Sequence, residues 1–360
     1  MLAKEADRTA TEVKVSCRNL WKVFGPNPDS YFEKPGDEIA VDALAARMRD
    51  EDHLPAVIDV SFDVHVGEIF VIMGLSGSGK STVVRCLSRL IDASHGQVLL
   101  DDDDLLSMGP KEMIEVRRHK MGMVFQNFGL LPHLTVLENV AFPLRLQNLS
   151  LVEQQEKAQR VIELVGLTGR EQSFPGQLSG GQQQRVGIAR SLAVEPDLWL
   201  LDEPFSALDP LIRRQMQDEF LRIQRVLQKS IVFITHDFLE ALRIADRMAI
   251  MRAGKIVQIG TPEELILNPV DDYVAQFASE VPRIRVLRAA ECTVEMSGDT
   301  SAMQRVSSRT TAENLVSLLS SQPEGIVVED PSGVELGIVT PASLIRALAS
   351  AERKRCNDAE

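Results

Sequence analysis

The feature that most constrains the fold is a glycine-rich segment at residues 71–87, VIMGLSGSGKSTVVRCL. The apolar run 69–73 leads into it and is too short for a helix, so it predicts a buried parallel strand. After the glycines, apolar residues recur at helical spacing, namely Val83, Val84, Leu87, Leu90 and Ile91. The glycines therefore lie at a strand-to-helix turn, where backbone N–H groups can converge on an anion at the positive end of the helix.

The spacing within this turn predicts that the anion is a nucleoside triphosphate bound with Mg²⁺. From Gly74 to Ser81 the pattern is Gly-x-x-x-x-Gly-Lys-Ser, in which Lys80 reaches the β- and γ-phosphates and the serine hydroxyl binds Mg²⁺. A merely flexible turn is the alternative, but strand, spacing, lysine, hydroxyl and helix together favour a phosphate loop. The residues expected to bind the nucleotide are Gly74, Ser76, Gly77, Ser78, Gly79, Lys80, Ser81 and Thr82.

Length, charge and cysteine usage exclude several classes of protein. The chain of 360 residues is long enough for one large domain and a smaller one, and its formal net charge of −13 argues against a nucleic-acid partner. No run of about 18 apolar residues and no apolar signal region occurs, so we expect neither secretion nor a membrane span. The four cysteines lack C-x-x-C pairing, which favours reduced thiols in a cytosol and no metal site beyond nucleotide-bound Mg²⁺.

Four short apolar runs predict the parallel strands of an α/β sheet, with helical patterns between them. They lie at 68–74, 121–126, 197–203 and 230–236. Ligands of such sheets bind at the carboxyl ends of the strands, so polar residues there are candidate site residues. Besides the phosphate loop, these are Gln126, Asp202, Glu203 and His236.

Two further segments are interpreted as additions to this sheet. Residues 127–195 are expected to form a mostly helical subdomain. Residues 26–55 are expected to be an inserted loop that carries a short helix, because Val41, Leu44, Ala45 and Met48 share one helical face.

A second motif, LSGGQ, resembles the signature of the nucleotide-binding subunits of ABC transporters. Its residues are Leu178, Ser179, Gly180, Gly181 and Gln182, and they lie between the phosphate loop and the Asp-Glu strand end. The resemblance covers about 14–280 and implies an ABC-type P-loop NTPase cassette, with a parallel-sheet core and a helical subdomain. It also implies that two cassettes pack head to tail, so that the signature of one closes over the γ-phosphate of the ATP bound by the other.

The same resemblance implies a role for each polar strand end. Asp202 holds Mg²⁺ through water, and Glu203 polarises the attacking water as general base. Gln126 fits the loop that senses Mg²⁺ and the γ-phosphate, and His236 resembles the switch histidine that contacts the γ-phosphate. Asp209, in SALD, matches the D-loop at the dimer interface. Considered singly, the two carboxylates could merely cap the next segment of the chain, and the histidine could be a core residue.

An aromatic residue upstream of the phosphate loop is expected to stack on adenine, as the family usually has it. Phe24 is the candidate. The insertion leaves three alternatives open, which are Trp21, Tyr31 and Phe32.

Within the family, residues 69–91, 115–142 and 205–219 resemble the ATPases of glycine betaine/proline-type importers, which also carry an insertion matching 26–55. The implied protein is a peripheral ATPase on the cytoplasmic face of the inner membrane, with integral membrane permease subunits docked near Gln126. It energises uptake of a glycine betaine, proline betaine or choline-type amine that a periplasmic or extracellular binding protein delivers. Uptake of histidine, proline or another amino acid is the competing hypothesis, followed by a regulatory, non-transport ATPase.

The remaining residues, 281–360, are expected to form a second domain. A helix is predicted to start at the capping box Thr310–Glu313, and strand, turn, strand and helix follow from 325 to 348. This order resembles one CBS motif, a regulatory fold that usually works in pairs. The tail is expected either to regulate transport, by sensing ionic strength or binding a nucleotide, or only to pack and dimerise.

Overall fold

The computed structural model describes residues 12–32, 40–126, 129–279, 284, 287–294, 303–308, 310–330 and 333–348. The chain divides into two compact units, Met1–Ile259 and Gly260–Glu360. None of the helices in the described ranges has the length and apolar character needed to span a membrane.

The first unit alternates strands and helices. Its strands are β1 (Val13–Phe24), β2 (Leu54–His65), β3 (Ile69–Met73), β4 (His95–Leu100), β5 (Asp103–Asp104), β6 (Met121–Val124), β7 (Leu198–Asp202), β8 (Ser230–Thr235), β9 (Arg247–Arg252) and β10 (Lys255–Gly260). Its helices are α1 (Val41–Asp50), α2 (Lys80–Leu87), α3 (Pro110–His119), α4 (Val136–Arg145), α5 (Leu151–Leu164), α6 (Gly180–Leu192), α7 (Pro210–Leu227) and α8 (Phe238–Ile244).

The central sheet has the strand order β10-β9-β3-β8-β7-β6. The four strands expected from the apolar runs are β3, β6, β7 and β8, and each pairs in parallel with its neighbours, as Val71 with Phe233 and Val124 with Leu201. Every residue of β3, β7 and β8 is buried, as expected for a sheet that is covered on both faces. Their carboxyl ends therefore bring the phosphate loop and the polar residues after β6, β7 and β8 to one edge.

A second, antiparallel sheet has the order β2-β1-β4-β5. One apolar cluster joins the two sheets through α2. Its buried members include Phe62 of β2, Phe70 and Ile72 of β3, and Val83 and Leu87 of α2. Because α2 is buried in this cluster, the loop that precedes it is held at a fixed place between the sheets.

The insertion contains the expected helix, which is α1. Ala45 and Met48 are buried against Trp21 and Ile58, and partly buried Leu44 packs on the same cluster. Trp21 and Ile58 belong to β1 and β2, so the apolar face of α1 fixes the insertion to the antiparallel sheet.

The predicted helices between β6 and β7 are α4, α5 and α6. The hydroxyls of Thr135 and Ser150 accept hydrogen bonds from the third residues of α4 and α5, which are glutamates in both helices. Gly166, at φ +68°, follows the end of α5 and provides the left-handed stop expected of a glycine there.

The second unit starts with two short helices, α9 (Pro262–Leu267) and α10 (Asp272–Ser279), before a small sheet. The sheet has the order β11 (Arg305–Ser307), β12 (Ile326–Glu329), β13 (Glu335–Val339), with α11 (Ala312–Ser321) before β12 and a helix α12 at 341–348. The order of strand, strand and helix is as predicted, although the turn residues 331 and 332 lie outside the described residues. The start of α11 is shifted by one residue from the prediction, because Thr311, not Thr310, caps it through Asn314.

Candidate active site

The phosphate loop follows β3, and its conformation requires glycine at both ends of the motif. Gly74 has φ +155°, and a β-carbon there would lie 2.3 Å from the carbonyl oxygen of Met251. Gly79 has φ +102°, and a β-carbon there would lie 2.4 Å from the carbonyl oxygen of Ala56. Both contacts are with backbone, so any side chain would displace the loop from the neighbouring strands.

The loop holds its lysine in a buried position. Lys80 is 4% exposed, and its Nζ donates to the carbonyls of Gly74 at 2.8 Å and Leu75 at 3.0 Å. The nearest carboxylate oxygen described is Oε1 of Glu203, 4.0 Å away. Burial lowers the pKa of Lys80, and the charges of Glu203 and Asp202 oppose this. The ammonium therefore lies inside the loop with a desolvated charge that an anion would stabilise.

A second polar group in the loop is also buried. The Oγ of Ser78 has no hydrogen-bond partner among the described residues, although Ser78 is only 5% exposed. A buried hydroxyl of this kind costs free energy until it is paired. Together with Lys80 and the loop amides, it fits a phosphate group.

The next pair lies where β7 ends. The Oγ of Ser81 donates to Oδ1 of Asp202 at 2.8 Å, and Asp202 is 5% exposed. Burial raises the pKa of Asp202, which the hydrogen bond from Ser81 partly offsets. A hydroxyl and a carboxylate side by side supply the hard oxygen ligands that Mg²⁺ prefers, so the residues fit that ion.

Glu203 and His236 form the third pair. Glu203 has φ +46°, which is uncommon for a residue with a side chain, and its N–H donates to the carbonyl of Ile234 at 3.1 Å. Oε2 of Glu203 lies 2.9 Å from Nδ1 of His236, whose side chain is about half exposed. The left-handed residue thus lies at the turn after β7, and its carboxylate reaches the histidine that follows β8.

Gln126 makes no hydrogen bond with either of these pairs in the part of the chain that the structure describes. It is exposed two residues after β6, and its side chain makes no hydrogen bond with any residue that the structure describes. Because β6 pairs with β7, Gln126 follows the same edge of the sheet as Asp202.

The signature residues lie at the start of α6. Ser179 caps the helix, with its Oγ accepting from the N–H of Gln182, whose side chain in turn accepts from the N–H of Ser179. Leu178 is buried, whereas Ser179, Gly180 and the N-cap of α7, Asp209, are exposed. The exposed groups are thus available to a molecule outside this chain.

The signature and the D-loop also touch each other within the chain. A β-carbon at Gly181 would lie 2.8 Å from Cγ2 of Ile212 in α7, and one at Gly180 would lie 3.6 Å from Cδ2 of Leu208. Oδ1 of Asp209 accepts from the N–H of Ile212 at 3.1 Å. The two motifs therefore form one surface.

Among the four candidate aromatics, Phe24 is the most exposed. It is 40% exposed at the end of β1, and Nζ of Lys22 lies 5.0 Å from its ring centroid. Trp21 is buried in the cluster around α1, Phe32 stacks on His95, and the hydroxyl of Tyr31 donates to Glu51. Phe24 pairs with Leu54, close to Ala56, which touches the phosphate loop.

One charged residue of this site, Arg213, is not predicted from the motifs. Arg213, on α7, lines the same cleft as Glu203, His236 and Asp237. Its only sequence signal is a cation one helical turn after Asp209.

Comparison with known proteins agrees with this geometry. The family model "ABC transporter" matches residues 57–206. The trimethylamine N-oxide transport system ATP-binding protein TmoW of Pelagibacter ubique is 49% identical over 340 residues, which cover 94% of this chain and 98% of the relative. TmoW of Ruegeria pomeroyi is 51% identical, with coverage of 90% and 93%. The glycine betaine/proline betaine transport protein ProV of Escherichia coli is 47% identical, with coverage of 78% and 69%.

A solved structure shows the same cassette fold. It is a dimeric, post-hydrolysis state of the ATP-binding cassette MJ0796 bound to ADP and Pi. Its TM-score is 0.57 at 31% identity, and the match covers 69% of this chain and 98% of that one. The predicted family and fold class are confirmed: the chain belongs to the ATP-binding subunits of ABC transporters, in the quaternary amine and glycine betaine importer type, and is a transport ATPase.

Proposed function

We propose that this chain hydrolyses Mg-ATP as half of a head-to-tail dimer and thereby drives import of a small methylated amine. Trimethylamine N-oxide is the first candidate and glycine betaine the second. The observation that carries the hydrolytic part is the convergence of the Ser81–Asp202 and Glu203–His236 pairs at the phosphate loop.

The phosphate loop supplies the binding energy for the nucleotide in this proposal. Lys80 exchanges its two carbonyl partners for phosphate oxygens, which relieves its desolvated charge. The buried Oγ of Ser78 gains a partner, and the exposed ring of Phe24 stacks on adenine. Ser76, Gly77 and Thr82 contribute backbone amides or hydroxyls from the same turn.

Ser81, Asp202 and Gln126 would hold the metal ion. When bound, Mg²⁺ neutralises charge on the β- and γ-phosphate oxygens. The Ser81 hydroxyl donates its proton to Asp202 in this structure, which leaves the lone pairs of its oxygen available to the ion. Gln126 is exposed and without a side-chain partner among the described residues, which leaves its amide oxygen free to join them.

Glu203 would take the proton of the attacking water as general base. Nδ1 of His236 lies 2.9 Å from that carboxylate and orients it. The exposed part of the histidine ring would contact the γ-phosphate. Because the strained backbone of Glu203 is anchored by its hydrogen bond to Ile234, the base is placed before the nucleotide arrives.

A second copy would complete each site. The exposed start of α6 offers the Ser179 hydroxyl and helix amides to an anion, while this chain already surrounds its own phosphate position with residues 74–82. The related cassette MJ0796 is dimeric. We place the dimer at the cytoplasmic face of the membrane, under permease subunits that contact the helices near Gln126.

The proposed substrate follows from the relatives that match along most of their length. Both TmoW proteins match at least 90% of this chain, whereas ProV matches 78%. A transported amine does not touch an ATP-binding subunit, so the relatives' names bear on the substrate only through the transport system that each ATPase serves. We assign the CBS-like residues 281–360 a regulatory role in it, which remains a prediction.

The test is uptake of labelled trimethylamine N-oxide, glycine betaine, choline, proline and histidine by cells that carry the complete transport system. We expect one of the first two labels to enter with the wild-type chain and not with Glu203→Gln. Equal uptake of all labels with both chains would contradict the transport role. A salt response that disappears when 281–360 is deleted would support the regulatory role of the tail.

A further inference from the structure

Arg213, near the start of α7, binds two loops of the active site at once. Its Nε donates to the carbonyl of Phe205 at 3.3 Å, and its Nη2 donates to the carbonyl of Leu208 at 3.1 Å. These carbonyls bracket the turn that leads into Asp209. Nη1 lies 3.5 Å from Oδ2 of Asp237, the residue after the switch histidine.

Both loops are connected to the proposed catalytic pair, Glu203 and His236. On one side, the carbonyl of Glu203 accepts from the N–H of Ser206 at 3.3 Å and from its Oγ at 3.0 Å, so the turn begins at the proposed base. On the other side, Asp237 follows His236 and caps α8, accepting from the N–H of Glu240 at 3.1 Å. One guanidinium thus links the turn that begins at Glu203 and ends at the D-loop to the residue that follows the switch histidine.

We propose that Arg213 is a positioning residue that fixes the D-loop relative to the loop of His236, so that closure of the dimer and contact with the γ-phosphate occur together. This inference rests on the proposed function, because it uses the roles of the D-loop and the switch. A planar guanidinium presents its N–H groups in a rigid fork, which suits three acceptors in different directions. Lysine would keep the charge and lose the fork.

A buried carboxylate lies beside this contact. Glu240, which packs beside it, is 5% exposed and accepts from Nε2 of Gln217 at 2.9 Å. Burial raises the pKa of Glu240, and the charge of Arg213 opposes that shift. The side chains of Arg213 and Asp237 are 28% and 33% exposed, so the directed hydrogen bonds to the two carbonyls, more than the charge of the pair, are what a substitution would lose.

The experiment compares Arg213→Lys with Arg214→Lys, a change at the exposed neighbouring position on α7. We measure kcat and KM for Mg-ATP hydrolysis by the full chain, the Kd of a fluorescent ATP analogue, and Tm. For Arg213→Lys we expect kcat to fall about 10- to 100-fold, because small misplacements of reacting groups cost that much. The Kd and Tm should match those of Arg214→Lys. Added to Glu203→Gln, Arg213→Lys should weaken the ATP-dependent dimer.

Equal kcat for the two lysine variants would overturn the inference, as would a Kd that weakens in proportion to kcat. Asp237→Asn provides an independent variant, because asparagine caps α8 as well as aspartate but lacks the charge that faces Arg213. It should lower kcat, and the double variant should lose little more, whereas additive losses would overturn the inference. Where Arg213→Lys does not fold, an Asp237→Asn variant with unchanged kcat overturns it. A wild-type chain without ATPase activity would instead contradict the proposed function.

Discussion

Nδ1 of His236 lies 2.9 Å from Oε2 of Glu203, and the two residues come from the ends of adjacent parallel strands, β8 and β7. The backbone of Glu203 is left-handed, at φ +46°, and its N–H donates to the carbonyl of Ile234 in β8. Base and switch are therefore paired in the fold itself, before any nucleotide or second chain is added.

Glu203→Gln should separate binding of ATP from its hydrolysis. The amide keeps the shape of the side chain and cannot accept the proton of water, so we expect kcat to fall about 10²- to 10⁴-fold, the usual contribution of a general base. Size-exclusion chromatography with Mg-ATP should then show a dimer that wild type forms only transiently. The exposed change Glu156→Gln is the control, and a variant that stays monomeric with ATP would contradict the prediction.

Asp202→Asn should stabilise the nucleotide-free chain while removing Mg²⁺-dependent activity. Burial raises the folded pKa of Asp202, so its protonated form favours folding. That contribution is fully present below the usual aspartate pKa and is lost as pH rises through the folded pKa. At neutral pH the ionised carboxylate of Asp202 therefore lowers the free energy of unfolding. Asparagine carries no charge and removes this loss. Thermal denaturation without Mg²⁺ should show a higher Tm for the variant at neutral pH and a smaller difference in acid.

The parallel core could be predicted because each strand is a continuous apolar run ending in polar residues. Phe233 and Leu200 lie in such runs, and the shortness of each run assigns it to a strand rather than a helix. The helix α1 could be predicted for a different reason, which is the helical spacing that places Ala45 and Met48 on one face. Spacing within the phosphate loop predicted the contacts of Lys80 only in part, because its present partners are carbonyls of its own loop.

The layout of the antiparallel sheet and the contacts of Arg213 could not be predicted in this way. Cys17 pairs with Phe62 and with Val98, far along the chain, and register shifts interrupt both ladders. Arg213 meets carbonyls and a carboxylate from two separate loops, a convergence that no local pattern encodes.

Phe24→Ala should weaken ATP binding without unfolding the chain. The ring is 40% exposed, so little core packing is lost, whereas a stacked aromatic pair is worth about 0.5–1.5 kcal/mol, or roughly 2- to 13-fold in Kd. Titration of a fluorescent ATP analogue measures this change. Tyr31→Phe is the matched control, since it removes only the hydroxyl that donates to Glu51. Equal Kd values for the two variants would exclude Phe24 as the stacking residue.

Gly181→Ala should destabilise the chain through Ile212. The new methyl group would meet Cγ2 at 2.8 Å, and overpacking of this kind costs about 1–3 kcal/mol. Gly180→Ala is the control, because its methyl would lie 3.6 Å from Leu208 and alanine otherwise favours a helix. Urea denaturation should show the loss only for Gly181→Ala, and Ile212→Ala should rescue it. Equal stability of the two alanine variants would contradict the prediction, because it would mean that Ile212 moves aside without cost.

The stability that His53 gives to the inserted segment 26–55 should depend on pH. Nε2 lies 2.8 Å from the carbonyl oxygen of Pro26 and Nδ1 lies 2.7 Å from that of Glu51, so both ring nitrogens face acceptors and the imidazolium fits best. These hydrogen bonds raise the pKa of His53, and the charges of Glu51 and Asp52 act in the same direction, while the Tyr31 hydroxyl lies 3.1 Å from Nδ1. The stabilisation is therefore present below the ordinary histidine pKa and is lost as pH rises through the folded pKa.

The measurement is an NMR titration of the His53 ring, assigned with His53→Gln, together with hydrogen exchange of the α1 amides. We expect the ring to titrate above about pH 6.5, the ordinary histidine value. Protection of α1, corrected for intrinsic exchange, should fall over the same pH interval in wild type. Glutamine has no charge to lose there, so the variant should show no such step. A wild-type ring that titrates below the ordinary value would show that the two carbonyls do not select the charged form.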